Sequence, residues 1–389
     1  MKLTRVVWSG LALALASFGV AAQQQGVTKT EILVGSIQDL SGPIAGFGKQ
    51  ARAGMQLRVD EFNEQSGGIH GRKIKLIFED SAYDPRKAVL AAQKLVNQDK
   101  IFAMVGHIGT AHNLAAMPVQ FEKNVFNLFP LTAAREMHEP FHKLKFAMLA
   151  SYYDGVRIFA PKLVKDKGLK KACALYQDDE FGLEVLRGAE AGLKSIGMEL
   201  AEKTTYKRGA TDFSSQVARL KASGCDFVVL GTIIRETIGA IAEGRKTGFN
   251  PTYLGSTAAY TDLIHRLGGK AMDGLYAAMT VQNPYIDDAS PQLRHWATKY
   301  KTKYNEDPTV FSVYGYTSMD IFIQAAQKAG QNLTTESFMK ALEATKTTAD
   351  IFGSPVASFG PNKRQGSAAA RLSQIQDGRW KVVSDYVNP

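Results

Sequence analysis

The stretch DLSGPIAGFG, residues 39–48, joins an apolar run at Ile32–Ile37 to a long helical pattern that begins near residue 48. A glycine-rich turn from a strand into a helix often binds an anion, because the first N–H groups of the helix and its dipole favour negative charge. The glycine spacing excludes both common nucleotide loops. Five residues separate Gly42 from Gly48, where a phosphate loop has four, and the order G-x-x-x-G-x-G differs from the dinucleotide fingerprint. We therefore predict that this turn does not bind a nucleotide.

Apolar runs and amphipathic stretches alternate on either side of this turn. The first series predicts strands at Ile32–Ile37, Ile74–Glu79, Phe102–Gly106 and Val125–Phe129, with helices near 48–65, 86–98 and 111–123. A second series predicts strands at Cys173–Tyr176, Phe227–Leu230 and Tyr253–Gly255, with helices near 181–196, 235–247 and 259–268. Such alternation is typical of parallel sheets with helices on both faces. The sequence thus predicts an α/β fold of two similar lobes, each a parallel sheet flanked by helices.

The C-terminal part of the chain departs from this alternation. An apolar run at Gly274–Thr280 precedes helices predicted near 289–305, 311–329 and 334–345, and Asp377-Gly378 predicts a late hairpin. Elements without complete βα units are expected to return to the two lobes already built, so the chain crosses between them more than once. Ligands of open α/β sheets bind beyond the carboxyl ends of the strands, which places the predicted site in one cleft between the lobes.

The N-terminal sequence predicts a secretory signal peptide over residues 1–22. Lys2 and Arg5 precede a short apolar stretch, Leu11–Val20, which ends in small residues. A retained N-terminal anchor is the alternative. Nucleotides are scarce outside the cytoplasm, so export also argues against a nucleotide ligand. The net charge of +10 over 389 residues comes from scattered basic residues, so we predict no nucleic-acid partner.

Cysteine and histidine usage predicts neither a metal site nor a cofactor. Cys173 and Cys225 are too few for a disulfide framework, and whether they form a bridge stays open. His107 and His112, five residues apart, come closest to metal-ligand spacing, but solvated or hydrogen-bonded histidines explain them better. Ser214-Ser215, Asp262 and His265 lack a G-x-S-x-G elbow, so the sequence predicts no enzyme.

Five segments carry a resemblance to a known family, and they lie in the same order over most of the chain. They are SGPIAGFGKQARAGMQL (41–57), FNEQSGGIHGRKIKL (62–76), DPRKAVLAAQKLV (84–96), VGHIGTAHNLAA (105–116) and YQDDEFGLE (176–184). In these the chain resembles the type I periplasmic solute-binding proteins, in particular the branched-chain amino-acid-binding (Leu/Ile/Val-binding) family of ABC importers. The resemblance implies three crossovers near 143–150, 272–280 and 351–360. It places 23–145 and 275–350 in lobe 1, and 146–274 and 351–389 in lobe 2.

The resemblance also implies a set of ligand-binding positions. Its aromatic wall falls on Phe47, and its carboxylate anchors fall on Gly109 with Thr110 and on Thr132 with Ala133. A hydroxyl and free N–H groups at a helix start suit a carboxylate, although a helix cap without a ligand is the alternative for each threonine. In the second lobe the implied aromatic positions fall on Phe181 and on Ile233, which is not aromatic.

Two further positions shape the predicted ligand. The family's acidic partner for an α-ammonium group corresponds to Thr257, and Arg235 either pairs a second anionic group or points to solvent. An ammonium group without a partner in a closed cleft costs several kcal/mol. The prediction is therefore an aromatic or aliphatic carboxylate, with a ring held between Phe47 and Phe181 as the specific hypothesis.

The predicted function is the extracytoplasmic solute-binding component of an ABC importer, monomeric and periplasmic, which delivers its ligand to a membrane permease. Binding of a branched-chain or other amino acid is one alternative. A ligand-sensing lobe for a membrane receptor is the other.

Overall fold

The computed structural model describes residues 24–389, so the predicted signal peptide lies outside the described residues. The first sheet is parallel and has the order β2-β1-β3-β4-β5. Its strands are β1 (Glu31–Gln38), β2 (Lys73–Asp80), β3 (Ala103–Val105), β4 (Phe126–Leu128) and β5 (Lys145–Phe146). The helices between them are α1 (Ala45–Ser66), α2 (Pro85–Gln93), which continues into a π-helical turn at Lys94–Gln98, and α3 (Thr110–Glu122). The four predicted strands and three predicted helices of this lobe are confirmed.

The second sheet has the order β12-β11-β10-β9-β8-β6-β7 and is parallel except for its last two strands. Its strands are β6 (Ala172–Gln177), β7 (Glu202–Tyr206), β8 (Phe227–Gly231), β9 (Thr252–Gly255), β10 (Tyr276–Met279), β11 (Arg371–Gln376) and β12 (Arg379–Val382). Its helices are α4 (Tyr152–Lys167), α5 (Glu180–Lys194), α6 (Ser214–Ala222), α7 (Arg235–Lys246) and α8 (Asp262–Gly268). The predicted hairpin joins β11 to β12, with positive φ at Asp377 and Gly378 as a two-residue turn requires.

Three elements of the second lobe escaped sequence analysis. The helix α4 contains Pro161, a residue that normally interrupts a helical pattern. The strand β7 lies at the edge of its sheet, and only two of its five residues, Thr204 and Tyr206, are buried. The helix α6 is short and buries only Val217 and Leu220, which leaves little apolar periodicity to detect.

Between β10 and β11 the chain forms three helices, α9 (Pro291–Tyr304), α10 (Val310–Ala329) and α11 (Thr335–Glu343). Of these, α10 packs on α1 in the first lobe at very short range. A Cβ atom on Gly54 would overlap the Ser312 carbonyl, and one on Gly315 would overlap the Ala51 carbonyl. Glycine at both positions therefore permits the contact between these two helices.

The predicted lobe limit at residue 275 needs one correction. The strand β10 pairs with β9 on one side and β11 on the other, so it is a strand of the second sheet and the chain leaves that sheet only after Met279. The predicted crossover at 272–280 moves to the residues after β10 for the same reason. The connections between the lobes bond to one another, because Ala147 donates to the Arg364 carbonyl and Gln282 donates to the Phe352 carbonyl.

A disulfide joins Cys173 and Cys225, with 6.0 Å between their Cα atoms, and this answers the question that the sequence left open. The disulfide links the start of β6 to the short segment before β8, and these two strands are neighbours in the sheet.

Within residues 24–389, none of the helices is both long and apolar enough to span a membrane.

Candidate functional site

The loops that follow the strands of both sheets meet around one cavity, which we call the cleft cavity. It encloses about 320 Å³ of empty space, its mouth included. Its lining comes from both lobes and consists of Ile44, Phe47, Tyr83, Ile108, Gly109, Thr110, Leu131, Thr132, Tyr152, Phe181, Ile233, Ala258 and Phe311. The structure thus brings together six of the nine predicted site residues, namely Phe47, Gly109, Thr110, Thr132, Phe181 and Ile233.

The other three predicted residues lie elsewhere. Ala133 and Thr257 line an adjoining space at the crossovers, which we call the hinge cavity. Arg235 is exposed at the first position of α7 and lines neither cavity, because the preceding Ile233 takes the position that faces the cleft. Arg235 was predicted either to pair a second anionic group or to point to solvent, and its exposed position matches the second alternative.

The glycine-rich turn at residues 39–48 contributes apolar side chains to the cleft cavity, and two of its N–H groups are bonded within the turn. The buried Asp39 carboxylate accepts hydrogen bonds from the Gly42 and Ile44 N–H groups at 2.5 and 2.8 Å. A Cβ atom on Gly48 would overlap the Asp39 carbonyl, so this glycine permits close packing of the turn. The Asp39 carboxylate therefore takes up these N–H groups of the turn, and its negative charge in front of α1 disfavours a second anion there.

The start of α3 is arranged differently. Gly109 precedes the helix with φ of +94°, and no side chain caps the helix there. The first N–H groups of a helix have no acceptor inside it, so those of α3 remain available at the cavity wall. The Thr110 and Thr132 hydroxyls lie beside them, 2.6 Å apart and both buried. Hydroxyl and N–H donors converge at this point of the cleft cavity.

Two helices of the second lobe, α5 and α7, also begin near the cleft, and each has an acidic side chain at its N-terminal end. Asp179 caps α5 by accepting from the Phe181 and Gly182 N–H groups. Glu236 lies buried in the first turn of α7, where burial raises its pKa. Both ends carry a carboxylate already and so disfavour a second anion.

The walls of the cleft cavity are aromatic, but their pairing differs from the predicted one. Phe47 stacks on Phe311 with ring centroids 3.7 Å apart, and Phe181 packs edge-on against Tyr152 at 5.1 Å. One face of Phe47 is therefore covered by a protein ring. From the sequence, Phe311 is only the first residue of the helix predicted near 311–329, where core packing is the simplest role for an apolar side chain. In the structure it lies at the start of α10 and lines the cleft cavity.

The polar side chains that line the cleft cavity all carry hydroxyl groups, and these are neutral. Burial raises the pKa of the Tyr83 phenol and of the Tyr152 phenol, so both stay protonated at neutral pH. Among the described lining residues, none is Asp, Glu, Lys or Arg. An ammonium group in this space would find no carboxylate partner.

The hinge cavity adjoins the cleft cavity and shares five of its lining residues, Leu131, Thr132, Tyr152, Ala258 and Phe311. It encloses about 580 Å³ with its opening included. The rest of its wall consists of Pro130, Ala133, Ala134, His138, Ala147, Met148, Leu149, Ala150, Ser151, Thr257, Thr280 and Tyr314. The lining is mostly apolar and rich in alanine.

Direct contacts between the lobes hold the cleft closed. The Arg135 backbone N–H and guanidinium donate three hydrogen bonds to the fully buried Glu184 carboxylate, the shortest at 2.7 Å. Arg187 approaches Glu136 at 3.6 Å, and Gln177 donates to the Tyr83 hydroxyl at 3.4 Å. Each of these contacts joins a residue of the first lobe to one of the second.

Behind the start of α3 lies a buried histidine. His112 stacks on Tyr83, with ring centroids 4.5 Å apart, and packs against Gly109. Burial lowers its pKa to about 4. His107 is also buried, and in the part of the chain that the structure describes, no group of three or more potential ligands could hold a metal.

The buried His112 predicts a loss of stability in mild acid. The pKa of a histidine in the unfolded chain is about 6.5. When the pKa in the folded state is lower, the histidine contributes its full stabilisation only above about pH 6.5. This stabilisation declines as the pH falls toward the folded pKa. From about pH 7.5 to about pH 5 we expect His112 to remove about 2 kcal/mol from the free energy of unfolding. Urea unfolding of wild type and His112→Gln at both pH values measures this. An equal pH dependence in the two proteins would contradict the prediction.

Comparison with known proteins places the chain in a family. A model described as "Periplasmic binding protein" matches residues 31–379. A leucine-, isoleucine-, valine-, threonine- and alanine-binding protein of Pseudomonas aeruginosa is 24% identical over 90% of this chain and 91% of its own length. Leu/Ile/Val-binding protein homolog 7 of Brucella abortus is 25% identical over 95% of this chain and 96% of its own.

A solved structure supports the two-lobe fold directly. The fatty acid ABC transporter substrate-binding protein from Thermomonospora curvata superposes with a TM-score of 0.85 at 24% identity, over 94% of this chain and 95% of that one. The family model covers most of the chain, both sheets included. The chain therefore belongs to the periplasmic binding protein family, a family of two-lobed solute-binding proteins rather than enzymes.

Proposed function

We propose that this protein binds a small carboxylate with an apolar body in the cleft cavity and delivers it, in the periplasm, to the membrane permease of an ABC importer. One observation carries the proposal: the uncapped start of α3, with the Thr110 and Thr132 hydroxyls beside it, opens into an apolar cavity. A carboxylate there would accept hydrogen bonds from the N–H groups and the hydroxyls and gain from the helix dipole.

Amino acids are the main competing ligands, because two of the relatives above are named for binding them. An amino acid brings an ammonium group as well as a carboxylate, and the described lining of the cleft cavity has no acidic side chain. Burying that group without a partner would cost several kcal/mol. We therefore favour aromatic or aliphatic acids, and the fatty acid protein with the same fold supports the aliphatic class.

A titration series tests the proposal. The protein is unfolded and refolded to remove any bound ligand, then titrated with benzoate, octanoate, benzamide and leucine. Binding of benzoate or octanoate without binding of benzamide would support an anion site. Binding of leucine alone would overturn the proposal in favour of an amino-acid site, and binding of none would overturn it as well.

Replacement of one hydroxyl at the anion site gives a residue-level prediction. Thr110→Val keeps the shape of the side chain and removes a hydroxyl that would donate to the carboxylate. Hydrogen bonds to charged groups contribute about 1.5–3 kcal/mol, so we expect the affinity for the acid to fall roughly 10- to 100-fold. Isothermal titration calorimetry measures the loss.

The control keeps the hydroxyl. Thr110→Ser should retain most of the affinity, because it removes only a methyl group. Equal affinities in Thr110→Val and wild type would mean that the carboxylate lies elsewhere. Urea unfolding of both variants checks that a change in affinity does not come from a change in stability.

A further inference from the structure

We infer that the ligand carries an extended apolar chain and that this chain lies in the hinge cavity. The inference rests on the proposed carboxylate site and adds to it the class of acid, a straight-chain aliphatic acid, and the residues that contact its tail. It starts from the five shared residues that place the two cavities side by side.

The position of the hinge cavity relative to the anion site is the first argument. Thr132 lines both cavities, and its hydroxyl lies 2.6 Å from that of Thr110 at the start of α3. A carboxylate bound by these hydroxyls therefore lies where the two spaces meet. The stacked rings of Phe47 and Phe311 occupy part of the cleft cavity wall, and the hinge cavity encloses about 580 Å³ against about 320 Å³ for the cleft cavity. A chain that continues from the carboxylate has its larger free volume toward the crossovers.

The lining is the second argument. Small side chains, Ala147 and Ala150 among them, face the hinge cavity where the chain first crosses between the lobes. The Thr280 and Tyr314 hydroxyls lie in its wall, but they bond to each other at 3.2 Å. The space thus offers apolar surface and few unsatisfied polar groups, which suits methylene groups and disfavours a second charge.

One histidine, His138, also lines the hinge cavity. Its side chain is 9% exposed, and its Nδ1 atom is buried without a hydrogen-bond partner. Burial lowers the pKa of this histidine, so the ring is neutral. The neutral ring adds no charge to the wall, so the described lining of the hinge cavity has no charged group that would favour a second ionised group on the ligand.

Chain length is the variable that tests the inference. The refolded full protein is titrated with butanoate, hexanoate, octanoate and decanoate. Each methylene buried should raise the affinity about fourfold until the cavity is filled. Affinities that do not change from butanoate to decanoate would overturn the inference and leave the carboxylate site standing. The absence of binding by all four acids and by benzoate would overturn both.

A variant of the cavity wall separates specific from general hydrophobic binding. Leu149 lines the hinge cavity only and is partly buried, so it tolerates a change of size better than the fully buried wall. Leu149→Trp fills the cavity and should weaken octanoate binding at least tenfold, while Leu149→Ala should retain octanoate binding to within a few-fold. Octanoate affinity that is the same in Leu149→Trp and wild type would overturn the inference. The chain-length series on wild type decides the question if Leu149→Trp does not fold.

Discussion

Removing the disulfide between Cys173 and Cys225 is expected to lower the free energy of unfolding by about 4 kcal/mol. The two residues are 52 positions apart, and the bridge encloses β6, α5, β7 and α6. Opening a loop of this length returns conformational freedom to the unfolded chain, which is the main source of the stabilisation in the chain-entropy model. For a lobe of this size the expected loss corresponds to a fall in Tm of roughly 10 °C.

Urea and thermal unfolding of the Cys173→Ala/Cys225→Ala double variant measure the effect. Alanine suits both positions, because both side chains are buried and the change in volume is small. Wild type in the presence of a reductant should unfold like the double variant, and the reductant should leave the variant unchanged. If oxidised and reduced wild type unfold at the same urea concentration, the disulfide does not stabilise the second lobe. A bridge of this kind forms in oxidising compartments, which agrees with the proposed periplasmic location.

The Glu184→Gln variant is expected to shift the protein toward the open form by about 2 kcal/mol, or roughly 30-fold in the opening equilibrium. The Glu184 carboxylate is fully buried when the lobes are closed and accepts two hydrogen bonds from the Arg135 guanidinium. Glutamine removes the negative charge and one of the two acceptor oxygens that the guanidinium contacts across the cleft. Because Arg135 is 29% exposed, water replaces part of the interaction, and we take the lower end of the usual range for such pairs.

Small-angle X-ray scattering of the refolded protein measures the opening, since an open form has a larger radius of gyration. Octanoate affinity should fall with the population of the closed form, by up to this factor if the open form already predominates without ligand. In a protein that is mostly closed without ligand, the shift appears mainly in the scattering. Asp166→Asn is the matched control: it removes an exposed ion pair with Lys162 that lies wholly within α4. Scattering and affinity that are the same for Glu184→Gln and wild type would contradict a role for this contact in closure.

Sequence analysis predicted the elements whose signal is local. The strands from β1 to β4 and the helices between them were predicted to within a few residues, because each has its own apolar run or its own helical period. The hairpin between β11 and β12 was found from two residues, Asp377 and Gly378, whose preference for positive φ is a property of the pair itself. The N-x-x-x-G-G-I-x-G-R pattern at 63–72 led to the family through order and spacing alone.

The site was predictable only in part. Gly109 lies just before α3 and Thr110 is its first residue, in the loop region that follows β3. A position between a strand and the next helix is where ligands bind in open α/β folds. Phe311 was missed because its contact with Phe47 joins residues 264 positions apart in the chain, and nothing local to either residue reports it. Thr257 was carried over from the family's motif and Arg235 was predicted from its place in the turn before α7, but the direction in which each side chain points depends on the packing around it.

The sequence by itself determined the two series of βα units, the family and the presence of hydroxyl and backbone donors after β3 and β4. Tertiary structure alone decided that β10 belongs to the second sheet, that Cys173 lies next to Cys225, and that the crossovers leave a hinge cavity beside the anion site. The physical reason is the range of the interactions. Backbone geometry and apolar periodicity act over a few residues, whereas strand order, a disulfide and a cavity wall depend on which distant segments pack together.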